Sequence, residues 1–137
     1  MKIINIPSVK SERCNAILKF HEKKYEVVAW EGEVECYTPA LSGKIRINLE
    51  SDYLKSFIND LKIIERDRKG ECSLGYQRES GFSLIIRSID SVGHFEVNIL
   101  LEDSRNSRGF DSIDTLKISY EIEPSLLSTL LKDFTNL

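Results

Sequence analysis

Residues 43–64 read GKIRINLESDYLKSFINDLKII, and residues 114–135 read DTLKISYEIEPSLLSTLLKDFT. Displaced by 73 positions, their apolar residues coincide. Ile45, Ile47 and Leu49 alternate as one face of a strand, and Ile118, Tyr120 and Ile122 repeat that face. Each strand runs into a helix start, Ser51-Asp52 in the first copy and Glu123-Pro124-Ser125 in the second. Pro124 is tolerated there because a first-turn N–H has no helical acceptor to lose. Both helices carry the i, i+3, i+4, i+7 spacing of an amphipathic face: Leu54, Phe57, Ile58, Leu61 and Leu127, Leu130, Leu131, Phe134.

Upstream, Tyr25, Val27 and Ala29 fall opposite Phe82, Leu84 and Ile86, and Gly32 falls opposite Gly93. Val34 and Cys36 match Phe95 and Val97, while Leu18 and Phe20 match Leu74 and Tyr76. Gly32, Gly81 and Gly93 read as hairpin turns. Each half is then four strands and a helix, with repeat 1 at about 14–64 and repeat 2 at about 72–135. The polar stretch Glu65–Glu71 joins them. One such unit cannot cover its own apolar faces, but two can cover each other. The expected class is α+β: two antiparallel four-stranded sheet-plus-C-terminal-helix repeats, packed as one pseudo-twofold domain over residues 1–137.

With 137 residues, 41% hydrophobic and 30% charged, the chain has the balance of a folded domain and can bury a core. Its 19 Lys+Arg against 22 Asp+Glu give a net charge of -3, which argues against a phosphate backbone as the main partner. No apolar run reaches the ~20 residues of a membrane span. Met1–Pro7 lacks the apolar stretch and cleavage site of a secretory leader. Cys14, Cys36 and Cys72 are odd in number and form no CxxC pair, so free thiols in the cytoplasm are expected. His21 and His94 stand at no metal-ligand spacing from another ligand. No phosphate loop, dinucleotide glycine pattern or nucleophile elbow occurs. The residues point to a binding protein rather than an enzyme, with no catalytic residue, cofactor or metal.

The candidate binding residues come from strand alternation. With Tyr25, Val27 and Ala29 inward and a turn at Glu31-Gly32, Trp30 points outward across from Glu33. Val34 and Cys36 inward leave Glu33, Glu35 and Tyr37 outward. Trp30, Glu31, Glu33, Glu35 and Tyr37 thus form an expected partner face, an aromatic anchor among carboxylates suited to a basic protein. The polar stretch Glu102–Asp114 reads as a long loop, and its Asp103 and Arg105 are second candidates. Residues 1–66 carry 11 basic and 10 acidic side chains, and residues 67–137 carry 8 and 12. The densest acidic strand therefore lies in the near-neutral half.

The segment GFSLIIRSIDSVGHFEVNILLED at 81–103, followed by LKISYEIEPSLLSTLLKDF at 116–134, resembles small bacterial immunity proteins. These are the WapI-like and contact-dependent-growth-inhibition families encoded beside polymorphic toxins. The resemblance rests on the Gly81-Phe82-Ser83-Leu84 strand, the Gly93-His94 hairpin and the closing strand with its Leu-rich helix. It implies a cytoplasmic antitoxin that binds a cognate toxin C-terminal domain and occludes its basic active-site cleft, a ribonuclease or other nuclease being the expected toxin. The repeated plan also resembles the Whirly single-stranded nucleic-acid-binding fold, which supplies the alternative function. That family's basic motif, Lys-Gly-Asn-Lys-Ala-Leu, is missing, so no direct nucleic-acid contact is expected.

Overall fold

The computed structural model describes residues 1–9, 14–21, 29–75, 81–107 and 110–137, with backbone alone for 104–107 and 110–113. The first sheet holds β1 (Lys2–Pro7), β2 (Asn15–Phe20), β3 (Ala29–Tyr37) and β4 (Ser42–Glu50). Helix α1 (Ser51–Asp67) leads to the second sheet, β5 (Glu71–Leu74), β6 (Phe82–Ser88), β7 (Phe95–Ser107) and β8 (Phe110–Ile122), closed by α2 (Leu126–Thr135). Both sheets are antiparallel and ordered as in the chain, β1-β2-β3-β4 and β5-β6-β7-β8. The expected α+β plan of two sheet-plus-helix repeats is the one observed.

Alternation determines which side chains enter the core. Ile4 and Ile6, Ala16, Leu18 and Phe20, Val34 and Cys36, and Ile47 and Leu49 are buried in the first sheet. The second sheet buries Cys72 and Leu74, Phe82, Leu84 and Ile86, Phe95 to Leu101 at every second position, and Ile118, Tyr120 and Ile122. Helix α1 contributes Leu54, Phe57, Leu61 and Ile64 on one stripe, and α2 contributes Leu127, Leu130 and Phe134. Arg68 ends α1 in the left-handed region at φ 59, its N–H donating to the Ile64 carbonyl. Glu65, Arg66 and Asp67 therefore belong to the helix, and the connector shortens to Arg68–Gly70.

Each helix packs against the first strand of the other sheet, α1 on β5 and α2 on β1, and the two helices meet. Phe57 and Phe134 are in edge-to-face contact with centroids 4.9 Å apart. The Arg68 guanidinium donates to the Pro124 carbonyl at 2.9 Å. On the sheet side, the buried Tyr120 hydroxyl donates to the Ile6 carbonyl, and the Val9 N–H donates to the Glu121 carbonyl at 2.9 Å. This reciprocity is a pseudo-twofold axis. Gly43 and Leu116, which occupy the same position in the two copies, meet near that axis: a Cβ on Gly43 would lie 2.6 Å from Leu116 Cδ2.

The pairing corrects the upstream match. Trp30, Gly32, Val34 and Cys36 lie opposite Leu49, Ile47, Ile45 and Gly43. Phe95, Val97, Ile99 and Leu101 lie opposite Ile122, Tyr120, Ile118 and Leu116. The counterparts of Val34 and Cys36 are thus Ile99 and Leu101, and the counterpart of Gly32 is Val97. Trp30 is the counterpart of Phe95. The first repeat also begins earlier than residue 14, because Lys2–Pro7 pairs with β2 as a strand of its own. Of the expected loop Glu102–Asp114, residues 102–107 and 110–114 are strand. They carry the β7–β8 ladder outward to Ser107↔Phe110, past the last β6 partner at Phe82↔Leu101. Tyr25, Val27 and Tyr76 lie outside the described residues.

Candidate functional site

Trp30 does not stand on the partner face. It is 8% exposed and belongs to the core. The reason is that Glu31 and Gly32 lie inside β3 and make no turn, so the inward phase of Val34 and Cys36 continues through Gly32 to Trp30. Gly32 is there because β2 runs very close: a Cβ at this position would fall 2.1 Å from the Lys19 carbonyl oxygen. Of the other glycines read as turns, Gly93 turns between β6 and β7 at φ +91. Gly81 precedes β6 at φ +64 and accepts the Glu102 N–H at 2.7 Å.

Glu31, Glu33, Glu35 and Tyr37 do share the outer face of β3, Glu31 exposed and the others half-buried. Strand register gives Glu33, Glu35 and Tyr37 a neighbour on either side. Lys19, Glu33 and Arg46 form one row, Ile17, Glu35 and Lys44 the next, and Asn15, Tyr37 and Ser42 the third. Glu31 faces Asn48 on β4. The Glu33 carboxylate lies 3.8 Å from Lys19 Nζ and 3.5 Å from Lys44 Nζ. Asn15 Nδ2 donates to the Tyr37 hydroxyl at 3.4 Å, while the buried Asn15 Oδ1 has no partner among the described residues. The acidic strand is therefore bordered by Lys19, Lys44 and Arg46, three cations that alternation alone left unplaced.

A cleft of about 570 Å³ opens on this face, lined by His21, Glu31, Gly32, Glu33, Arg46, Ile47 and Asn48. His21 reaches it because the β2–β3 ladder continues past Phe20, its N–H donating to the Glu31 carbonyl at 3.0 Å. The sequence shows His21 only as lying at no metal-ligand spacing, and it gives Arg46 and Asn48 no role. Their outward positions were available from Ile45, Ile47 and Leu49 facing inward. What was missing was the β3–β4 register, closed by the Thr38 N–H donating to the Leu41 carbonyl at 2.7 Å.

Asp103 lies elsewhere, in a hollow of about 200 Å³ between β4 and the base of the β7–β8 extension, with Lys44, Asp114 and Thr115 among its lining residues. Lys44 borders both this hollow and the acidic face, which connects Asp103 to the same side of the molecule. The Arg105 side chain lies outside the described residues, and its backbone pairs with Ser112.

The remaining reactive groups read as structural. Burial pushes the Cys36 thiol up to about 11 and the Cys72 thiol up to about 12, so neither supplies thiolate near neutrality. Asp90 accepts the N–H groups of Val92 and His94 at 2.9 and 3.1 Å and bonds the His94 ring, which holds its carboxyl below the usual range. These contacts organise the β6–β7 turn. Among the described residues no group of three His, Cys, Asp or Glu could hold a metal ion, and no helix is long and apolar enough to cross a membrane. No family model matches the chain, and neither a curated protein nor a solved structure matches it.

Proposed function

We infer that this chain is an immunity protein of the contact-dependent-inhibition type, which binds a cognate toxin domain through the outer face of its first sheet. The observation that carries the reading is the line of Glu31, Glu33 and Glu35 on β3, about 7 Å apart by strand geometry. Glu31 and Glu35 make no ion pair among the described residues and are left for a partner. A nuclease cleft that accepts phosphates offers matching positive charge, which steers encounter and selects the partner. The flanking Lys19, Lys44 and Arg46 narrow the partner further. They disfavour a uniformly basic surface and fit a basic strip bordered by acids, which gives specificity by repulsion as well as attraction.

The test is co-expression with the toxin domain encoded by the adjacent gene, scored by growth and by co-purification. Rescue and a complex are expected for the natural chain. Glu31→Lys with Glu35→Lys is expected to abolish both while circular dichroism and the melting temperature stay unchanged. Failure of the natural chain to rescue or bind overturns the reading, and rescue by the doubly reversed variant overturns the assignment of this face.

A further inference from the structure

We propose that the cleft on the first sheet is a binding site for a small oxyanion that also carries a hydroxyl or ammonium group, such as a sugar phosphate or an amino acid. Arg46 sits directly across from Glu33 in the β3–β4 ladder, where an acid and a base ordinarily join. Glu33 is instead held between Lys19 and Lys44 at 3.8 and 3.5 Å. Arg46 has no ion pair or side-chain hydrogen bond among the described residues. Its guanidinium, a planar fork of five N–H donors, is left lining the cleft.

Two more groups that can donate hydrogen bonds converge there. Asn48 follows Arg46 by two residues on the same face of β4, and His21 approaches from the end of β2. Neither side chain is engaged elsewhere among the described residues. A guanidinium, a carboxamide and an imidazole on one side match the acceptor oxygens of a phosphate or carboxylate. The opposite wall is Glu31, facing Asn48 across the ladder, and it repels a bare anion while accepting from a hydroxyl or ammonium. A ligand carrying both groups satisfies both walls. The cleft's volume of about 570 Å³ lies within the roughly 300–1,000 Å³ usual for small-molecule sites.

The site requires no toxin, so it is tested on the isolated chain by heteronuclear NMR. Three probes are titrated separately to about 10 mM, which detects millimolar affinity: inorganic phosphate, ribose 5-phosphate and glycine. Saturable shifts of the Arg46 Nε–H, the Asn48 amide and His21 are expected with ribose 5-phosphate or glycine, and whichever binds identifies the source of the oxyanion. Arg46→Ala is expected to weaken that binding about tenfold or more, the loss of a charge-assisted fork. Glu31→Gln is expected to improve inorganic phosphate while weakening the bifunctional probe. No saturable shift with any probe overturns the site, as do shifts that Arg46→Ala leaves unchanged. Inorganic phosphate binding as tightly as the other two overturns the part assigned to Glu31.

Discussion

The two sheets are near-copies on the inside and strangers on the outside. Inward, Trp30 answers Phe95, Val34 answers Ile99, and Leu54, Phe57 and Leu61 answer Leu127, Leu130 and Phe134, all of them buried. Outward, β3 presents Glu31, Glu33 and Glu35, whereas β7 presents Glu96, Asn98 and Leu100. There Glu96 is taken by Arg87 at 2.6 Å and by Asn98 at 3.2 Å, and hydrogen bonding to both holds its carboxyl below the usual range. The second face satisfies itself. Among the described residues the first leaves carboxylates and a guanidinium without side-chain partners, and it is the first that carries the cleft. Cores tolerate little change of volume or phase, while open faces are free to diverge. A duplicated architecture therefore separates scaffold from function by showing where its copies disagree.

The inward equivalence is broken most severely at the large aromatic pair. Trp30→Ala and Phe95→Ala are each expected to cost about 3–5 kcal/mol, measured by urea denaturation. A Trp30 loss below about 1 kcal/mol would return that residue to the surface. Next comes the one inward position where the copies differ for a reason of backbone. Gly32→Val places carbon against the Lys19 carbonyl and is expected to cost about 3 kcal/mol. Val97→Gly, at the matching position, is expected to cost about 2 kcal/mol through a lost side chain and a looser strand.

Tyr120 sharpens the comparison at the seam. Its counterpart is Ile47, which has no hydroxyl, so the bond to the Ile6 carbonyl exists on one side of the axis only. Tyr120→Phe is expected to cost about 1–2 kcal/mol, because the Ile6 carbonyl stays buried without its donor. Burial raises the folded pKa of Tyr120 above its ordinary 10.0, and it raises Cys36 to about 11 and Cys72 to about 12 from 9.0. All three are neutral when protonated, so the folded chain retains protons that the unfolded chain gives up. The stability that these three groups contribute is thus full below about pH 9 and falls as pH rises beyond it. Denaturation midpoints between pH 8 and 11 check this, and Tyr120→Phe is expected to flatten the fall above about pH 10.

How much of this was legible beforehand follows the same division. The strand–helix pairs at 45–61 and 118–134 announced the core because apolar spacing is a property of one segment at a time. Trp30 was misplaced because Gly32 has two meanings, a turn and a close approach, and only the β2–β3 pairing decides between them. Glu102–Asp114 looked like a loop because its polar sequence has no apolar alternation to display. β1 was overlooked because six residues read as a missing leader rather than as the partner of Asn15–Phe20. The cleft was invisible for a deeper reason. Its residues come from just past β2, from β3 and from β4, and their meeting depends on a register that no single segment encodes.

The smallest expected effect is also the one that most directly tests why the first face is different. Glu33 lies between Lys19 and Lys44, with side chains 30%, 30% and 57% exposed. Exposed pairs of this kind contribute about 0–1 kcal/mol, so Glu33→Gln is expected to change stability by less than about 1 kcal/mol. Its consequence should be electrostatic. Removing the carboxylate leaves Lys19, Lys44 and Arg46 around Glu31 and Glu35, turning the face from mixed to net positive. On the proposed function, toxin binding should weaken and its salt dependence change, measured by titrating the complex at two ionic strengths. Glu96→Gln on the second sheet removes a closer ion pair, 2.6 Å to Arg87, and on the same reading should leave toxin binding unaltered. Equal losses from the two substitutions would mean that the partner does not distinguish the faces, and the division between scaffold and binding surface would have to be drawn elsewhere.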